Sequence, residues 1–110
     1  MRFDGKRVFV TGAASGIGAA TKARFEREGA VVYGADIATA AGVHFCDVTD
    51  PASVTSAVGD AAATMGGLDV VANVAGIQVF RRFADLSVEL LHQHLSVNTI
   101  GPALVVQTAL

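Results

Sequence analysis

The apolar positions of this chain change period several times, and the changes fall at Gly, Asp or Pro. Arg7-Val8-Phe9-Val10-Thr11 is a short β-branched and aromatic run between Gly5 and Gly12, suited to a strand buried on both faces. From Gly16 to about Glu28 the period is helical: Ile17, Thr21 and Phe25 fall four apart on one side, leaving Lys22, Glu26 and Arg27 for water. Gly29 is placed to stop that helix in a left-handed conformation. Ala30-Val31-Val32-Tyr33-Gly34-Ala35 reads as a second strand and Val43-His44-Phe45-Cys46 as a third. Asp50 as N-cap and Pro51 at the first helical position start another helix, which runs to about Met65 and ends at Gly66-Gly67. Leu68 to Val74 supplies a fourth strand before a turn at Ala75-Gly76. Ser87 or a neighbour then caps a last helix that continues with little interruption to Leu110.

Strands separated by helices predict an α/β fold, a doubly wound parallel sheet with right-handed crossovers and helices on both faces. One connection departs from that rule. Only seven residues, Asp36 to Gly42, separate the second and third strands, too few for a helical crossover, so a tight loop or a single helical turn is expected there. The chain of 110 residues is 52% hydrophobic, enough for one domain core and far too apolar for a disordered polymer. Charged residues make up 16% and the formal net charge is -2, which leaves no basic field for nucleic acid. No run approaches the roughly 18 apolar residues of a membrane span. The charged opening Met1-Arg2-Phe3-Asp4 and the single Cys46 predict a cytoplasmic setting without disulfides.

The sharpest chemical signal is Thr11-Gly12-Ala13-Ala14-Ser15-Gly16-Ile17-Gly18, where the first strand hands over to the first helix. A pyrophosphate needs backbone N–H groups close by and the positive end of a helix, so bulky side chains must be kept out of the turn. Gly12, Gly16 and Gly18 meet that need, and Gly18 also lets the helix pack near the sheet. No Lys-Ser/Thr follows the last glycine, which disfavours a nucleoside-triphosphate loop. Asp36 ends the second strand, 18 residues beyond Gly18, at the distance of an acidic residue that reaches the adenosine ribose. The alternative for Asp36 is a strand-terminal residue capping its own loop. No cation stands at Ala13, Ala14 or Ile37 to read a 2′-phosphate, so NAD is favoured over NADP.

The glycine spacing Thr-Gly-x-x-x-Gly-x-Gly resembles the cofactor loop of the short-chain dehydrogenase/reductase family, matched here residue for residue. The resemblance implies a Rossmann-like NAD(P)-binding domain over residues 1–110. It implies that Thr11, Gly12, Ser15, Gly16, Ile17 and Gly18 hold the dinucleotide together with Asp36 and Ile37. Asp47-Val48 after the third strand resembles the pair that meets the adenine ring, with a plain helix-approach residue as the alternative for Asp47. Asn73-Val74-Ala75-Gly76 resembles the family's motif beside the cofactor ribose, which puts Asn73, Ala75 and Gly76 in the cofactor site. Val97-Asn98 is placed like the family's helical Asn at the proton-relay end of the active site. Asn is a poor helix former, and Pro102 cannot donate a bond to the Asn98 carbonyl, which is thereby expected to be free for a relay water unless Gly101-Pro102 merely kinks the helix.

Other candidates carry less. His92 and His94 are two apart, so they do not share a helix face, and they read as solvated residues; no metal site is expected. Cys46 reads as inert core. Arg81-Arg82 stand in a loop that either is solvated or touches an anionic substrate.

Hydride transfer between a secondary alcohol and a ketone also needs a general acid/base, which the family supplies with Tyr-x-x-x-Lys and a Ser. Here the one tyrosine, Tyr33, is followed four residues later by Ile37, and the lysines are Lys6 and Lys22. The resemblance thus covers the first half of the family's domain, and the expectation is a domain incomplete at its C-terminus, truncated after about four strands and the following helix. The fourth strand is expected to present an exposed apolar edge, with marginal stability, aggregation, a homo-oligomer or association with another chain as the consequence. Two further readings stand beside the enzyme: a dinucleotide-binding or subunit-associating module without chemistry, and a doubly wound regulator that binds no dinucleotide.

Overall fold

A computed structural model describes all 110 residues. Four parallel strands, β1 (Arg7–Thr11), β2 (Val31–Asp36), β3 (Val43–Phe45) and β4 (Val70–Ala72), form one sheet in the order β3-β2-β1-β4. Helix α1 (Gly16–Arg27) covers one face, while α2 (Pro51–Met65) and α4 (Gly101–Ala109) cover the other. The result is a Rossmann-like doubly wound α/β fold, as the alternation of elements predicts.

Strand alternation sorts the core. Val8 and Val10 of β1 face α1 with Phe25 and Val32, while Phe9 faces the other side with Val54, Val58, Ala61 and Val105. All three β1 residues are fully buried, which is why the run between Gly5 and Gly12 shows no polar interruption. An aromatic stack crosses three strands: the Phe9 and Tyr33 rings lie 5.6 Å apart and the Tyr33 and His44 rings 4.0 Å. The Tyr33 hydroxyl donates to Asp60 of α2 at 2.6 Å. Burial, reinforced by that carboxylate, pushes the Tyr33 ionisation far above its ordinary range.

Several boundaries differ from the sequence reading, each for a local reason. Ile17 is exposed rather than core-facing, and the aliphatic stem of Lys22 lies over Gly34 of the sheet. The helix is rolled this way because Gly18, its one buried residue, sits against the Gly12 carbonyl. Lys22 keeps its charge at the surface by pairing with Glu26 at 2.7 Å. Gly29 does take a left-handed conformation (φ +92°) just after α1. The β2–β3 connection contains no helical turn; the Asp36 Oδ1 accepts from the Ala38 N–H at 3.0 Å and turns the chain.

Strand β4 is shorter than the apolar run Leu68–Val74. At its start the Asp69 carboxylate is taken by the Arg7 backbone N–H (2.8 Å) and guanidinium (2.9 and 3.0 Å). At its end the Val74 and Ala75 N–H groups turn to the Thr11 Oγ1, both at 3.0 Å. Its one neighbour is β1, so β4 is the unpaired sheet edge that the sequence predicts, with its side chains half-buried.

The α2 caps follow the sequence: Asp50 accepts from the Ala52 N–H at 3.0 Å, and Gly66 is left-handed at φ +78°. The last helical stretch divides into α3 (Val88–Leu95), a π-helical turn (Ser96–Ile100) and α4. Ser87 caps α3 through its Oγ, which accepts from the Leu90 N–H at 3.1 Å. Next to Pro102, which has no N–H, Gly101 donates to the Ser96 carbonyl five residues back. The disturbance expected at Gly101-Pro102 is therefore a π turn centred on Asn98 and not a simple kink. No helix is long and apolar enough to cross a membrane.

Candidate functional site

The strand order reverses beside β1, where β2 lies to one side and β4 to the other, and a crevice at the carboxyl ends of the strands is the expected binding place in such sheets. A cleft of about 430 Å³ opens there. From the loop after β1 it is lined by Thr11, Gly12, Ser15, Gly16, Ile17 and Gly18. A Cβ on Gly12 would stand 2.7 Å from the Ala75 nitrogen, and one on Gly18 would run into the Gly12 carbonyl. Both positions bring backbone against backbone, so only hydrogen fits. The N-cap Ser15 makes no side-chain cap bond, and α1 has no acidic residue in its first turn. The first N–H groups of α1 therefore remain available to an anionic ligand at the positive helix end.

Asp36 and Ile37 line the same cleft from the end of β2. The Asp36 Oδ2 accepts from the Ala14 N–H at 3.0 Å, so this carboxylate braces the glycine loop while its Oδ1 caps its own turn. Asp47 and Val48 form the next part of the wall. The Asp47 Oδ1 accepts from the Thr49 N–H (3.0 Å) and hydroxyl (2.7 Å), and the Asp47 N–H donates to Ser53 at 2.9 Å. Asp47 thus shapes the approach to α2 from a position on the cleft.

Beyond β4 the wall continues through Ala75 and Gly76. Thr11 is buried, and its hydroxyl ties this segment to the glycine loop. Asn73 and Asn98 stand outside the lining. The Asn73 Nδ2 donates to the Pro102 carbonyl at 3.5 Å. The Asn98 side chain grips Ile77 twice at 2.8 Å, Oδ1 accepting from its N–H and Nδ2 donating to its carbonyl. Asn98 therefore faces the cleft through the residue it holds.

Five wall residues lay outside the sequence reading of the cofactor site: Cys46, Val74, Ile77, Gln93 and Val97. Gln93 and Val97 are four apart, so their helical spacing was the available signal. Cys46 is buried, and that burial pushes its thiol up, in keeping with an inert side chain. His94 corrects an expectation: it is half-buried and bonded on both ring nitrogens, not solvated.

A family profile described as short chain dehydrogenase matches residues 6–110. The chain belongs to the short-chain dehydrogenase/reductase family. It is 37% identical to D-threitol dehydrogenase of Mycolicibacterium smegmatis, over 96% of this chain and 46% of that protein. It is 34% identical to sorbitol dehydrogenase of Cereibacter sphaeroides, over 97% of this chain and 46% of the relative. A short chain dehydrogenase from Burkholderia cenocepacia, solved in complex with NADP, superposes with a TM-score of 0.89 at 31% identity, over 99% of this chain and 51% of that one. The chain spans about half the length of the curated relatives it matches. As a family of oxidoreductases, the short-chain dehydrogenases/reductases use a nicotinamide dinucleotide, and the hydrogen-only contacts at Gly12 and Gly18 fit the close passage of its pyrophosphate.

Proposed function

We propose that these residues form the NAD-binding half of a short-chain oxidoreductase that moves a hydride between a secondary alcohol and a ketone. One observation carries the reading: a carboxylate, Asp36, stands on the cleft wall bonded to the glycine loop, with Ala13, Ala14 and Ile37 beside it and no cation among them. Gly12, Ser15, Gly16, Ile17 and Gly18 would hold the pyrophosphate with backbone amides. Asp36 would accept the adenosine ribose hydroxyls and repel a 2′-phosphate, and Asp47 with Val48 would meet the adenine. Asn73, Ala75 and Gly76 would border the second ribose. The bound dinucleotide supplies the hydride acceptor or donor. At the far end Asn98 keeps Ile77 in place beside the proton-relay position.

Tyr33 is not the general acid/base of that reaction. It is buried, committed to Asp60 and hard to ionise. We infer that these 110 residues by themselves hold the dinucleotide without turning it over, which is the module reading. The substrate class is a small alcohol or ketone, and the setting cytoplasmic. The exposed Val88, Leu91 and Leu95 of α3 suit association with another chain or a second copy.

Calorimetric titration tests the cofactor. NAD⁺ should bind more tightly than NADP⁺, and Asp36→Ala should weaken NAD⁺ by roughly ten- to a hundredfold while narrowing the gap to NADP⁺. Equal NAD⁺ affinity in the variant removes Asp36 from the site. Absence of binding by either dinucleotide favours the regulator.

A further inference from the structure

His94 lies one helical turn before Asn98 and is bonded at both ring nitrogens. Its Nδ1 is 2.8 Å from the Leu90 carbonyl on its own helix, and its Nε2 is 3.1 Å from the Val79 nitrogen. The partners fix the proton. A carbonyl only accepts, so Nδ1 carries the hydrogen; a backbone N–H only donates, so Nε2 is the bare acceptor. The two bonds together require the Nδ1–H tautomer of the ring.

The two clamps act on one segment. Asn98 takes the Ile77 N–H and His94 the Val79 N–H, the two-residue spacing at which an extended chain turns its amides to one side. Ile77 lines the cleft, and beyond Val79 the same segment carries the exposed Phe80 and Phe83. Apart from the short 3₁₀ turn Phe83–Asp85, the segment from Ile77 to Leu86 has no regular structure to fix it. Side chains from α3 and the π turn take the place of a neighbouring strand.

We propose that His94 is a protonation-sensitive positioning residue for this segment, fixing the wall beside the reacting end of the cleft only while its ring is neutral. A proton on Nε2 sets N–H against N–H, so the Val79 bond is lost, while the Asn98 grip on Ile77 does not titrate. Histidine is the side chain whose ordinary charge change falls between about pH 5 and 8. The charged or titratable groups on the two segments that meet here are Arg81, Arg82 and Asp85 on one and Glu89 and His92 on the other. Arg82 and Asp85 pair with each other at 2.9 Å, and no ion pair involves His94. Assigning this wall to the reacting end rests on the dinucleotide reading above; the clamp itself does not.

Amide hydrogen exchange and imidazole nitrogen shifts of the isotope-labelled chain test the proposal. At about pH 8 the ring should show the Nδ1–H form, with the Val79 amide protected. Toward about pH 5 that protection should fall by roughly five- to tenfold, the loss expected of one hydrogen bond. His94→Leu should lose protection at both pH values. His94→Gln, whose side-chain oxygen accepts without titrating, should restore it at both. Val8 and Val10 amides, protected in every variant, report an intact sheet. A proton on Nε2 at about pH 8, or wild-type Val79 protection in His94→Leu, overturns the clamp. NAD⁺ titration of the same samples separates the two readings: no binding removes the dinucleotide site and leaves the exchange result standing.

Discussion

At the end of the cleft formed by β1 and β2, every β1 residue is paired with β2, the central residues of both strands are buried, and the glycine loop is pressed backbone to backbone against its surroundings. At the opposite end β4 pairs over three residues, and the segment beyond it is held by single side chains: Thr11, His94 and Asn98. The first end inherits its shape from the core. The second depends on a few polar bonds, each of which can be made or broken without repacking the sheet. Low-stability segments at binding sites are generally of this second kind.

The largest effect should come from removing the support of the first end. Phe9→Ala deletes a fully buried ring between β2 and α2, and thermal melts should show a loss of about 3–5 kcal/mol, with dinucleotide binding falling alongside it. A smaller, local effect is expected from Asn98→Ala. The sheet should keep its melting temperature within a few degrees, while the Ile77 amide exchanges roughly tenfold faster for want of the side-chain oxygen. If both variants lowered the melting temperature equally, the two ends would not be separate in stability.

The smallest effect concerns acid. Asp69 is held well below the usual carboxylate range by the Arg7 guanidinium and backbone N–H, and the Arg7 ionisation is raised in return. A depressed folded value means that the contribution is complete above the unfolded carboxylate range, near pH 4, and is lost as pH falls through the folded value. The pair is partly exposed, so the change should be slight. Asp69→Asn should flatten the acid limb of the stability curve below about pH 4, its slight loss of stability being present near neutrality and disappearing in acid.

The sequence spoke clearly where chemistry is local. The glycine loop, Asp36, the Asp50-Pro51 helix start and the strand β1 were legible because spacing and residue type determine them directly. Ile17 misled, because an apolar residue on a helical stripe reads as core unless the close approach at Gly18, a contact across the loop, is known to roll the helix. His94 misled in the opposite sense. Its partner Val79 offers a backbone N–H, which leaves no trace in side-chain identity. The π turn at Asn98 was readable only as a disturbance, since Pro102 announces a missing donor without saying which bond replaces it.

The ring stack across β1, β2 and β3 has a practical side. The chain contains no tryptophan and one tyrosine, so its emission on excitation beyond the phenylalanine band comes from a single phenol placed where three strands meet. Unpicking the sheet must change the light from Tyr33, and reduced nicotinamide can be watched without an indole background. The molecule carries its own optical label at the junction of β1, β2 and β3.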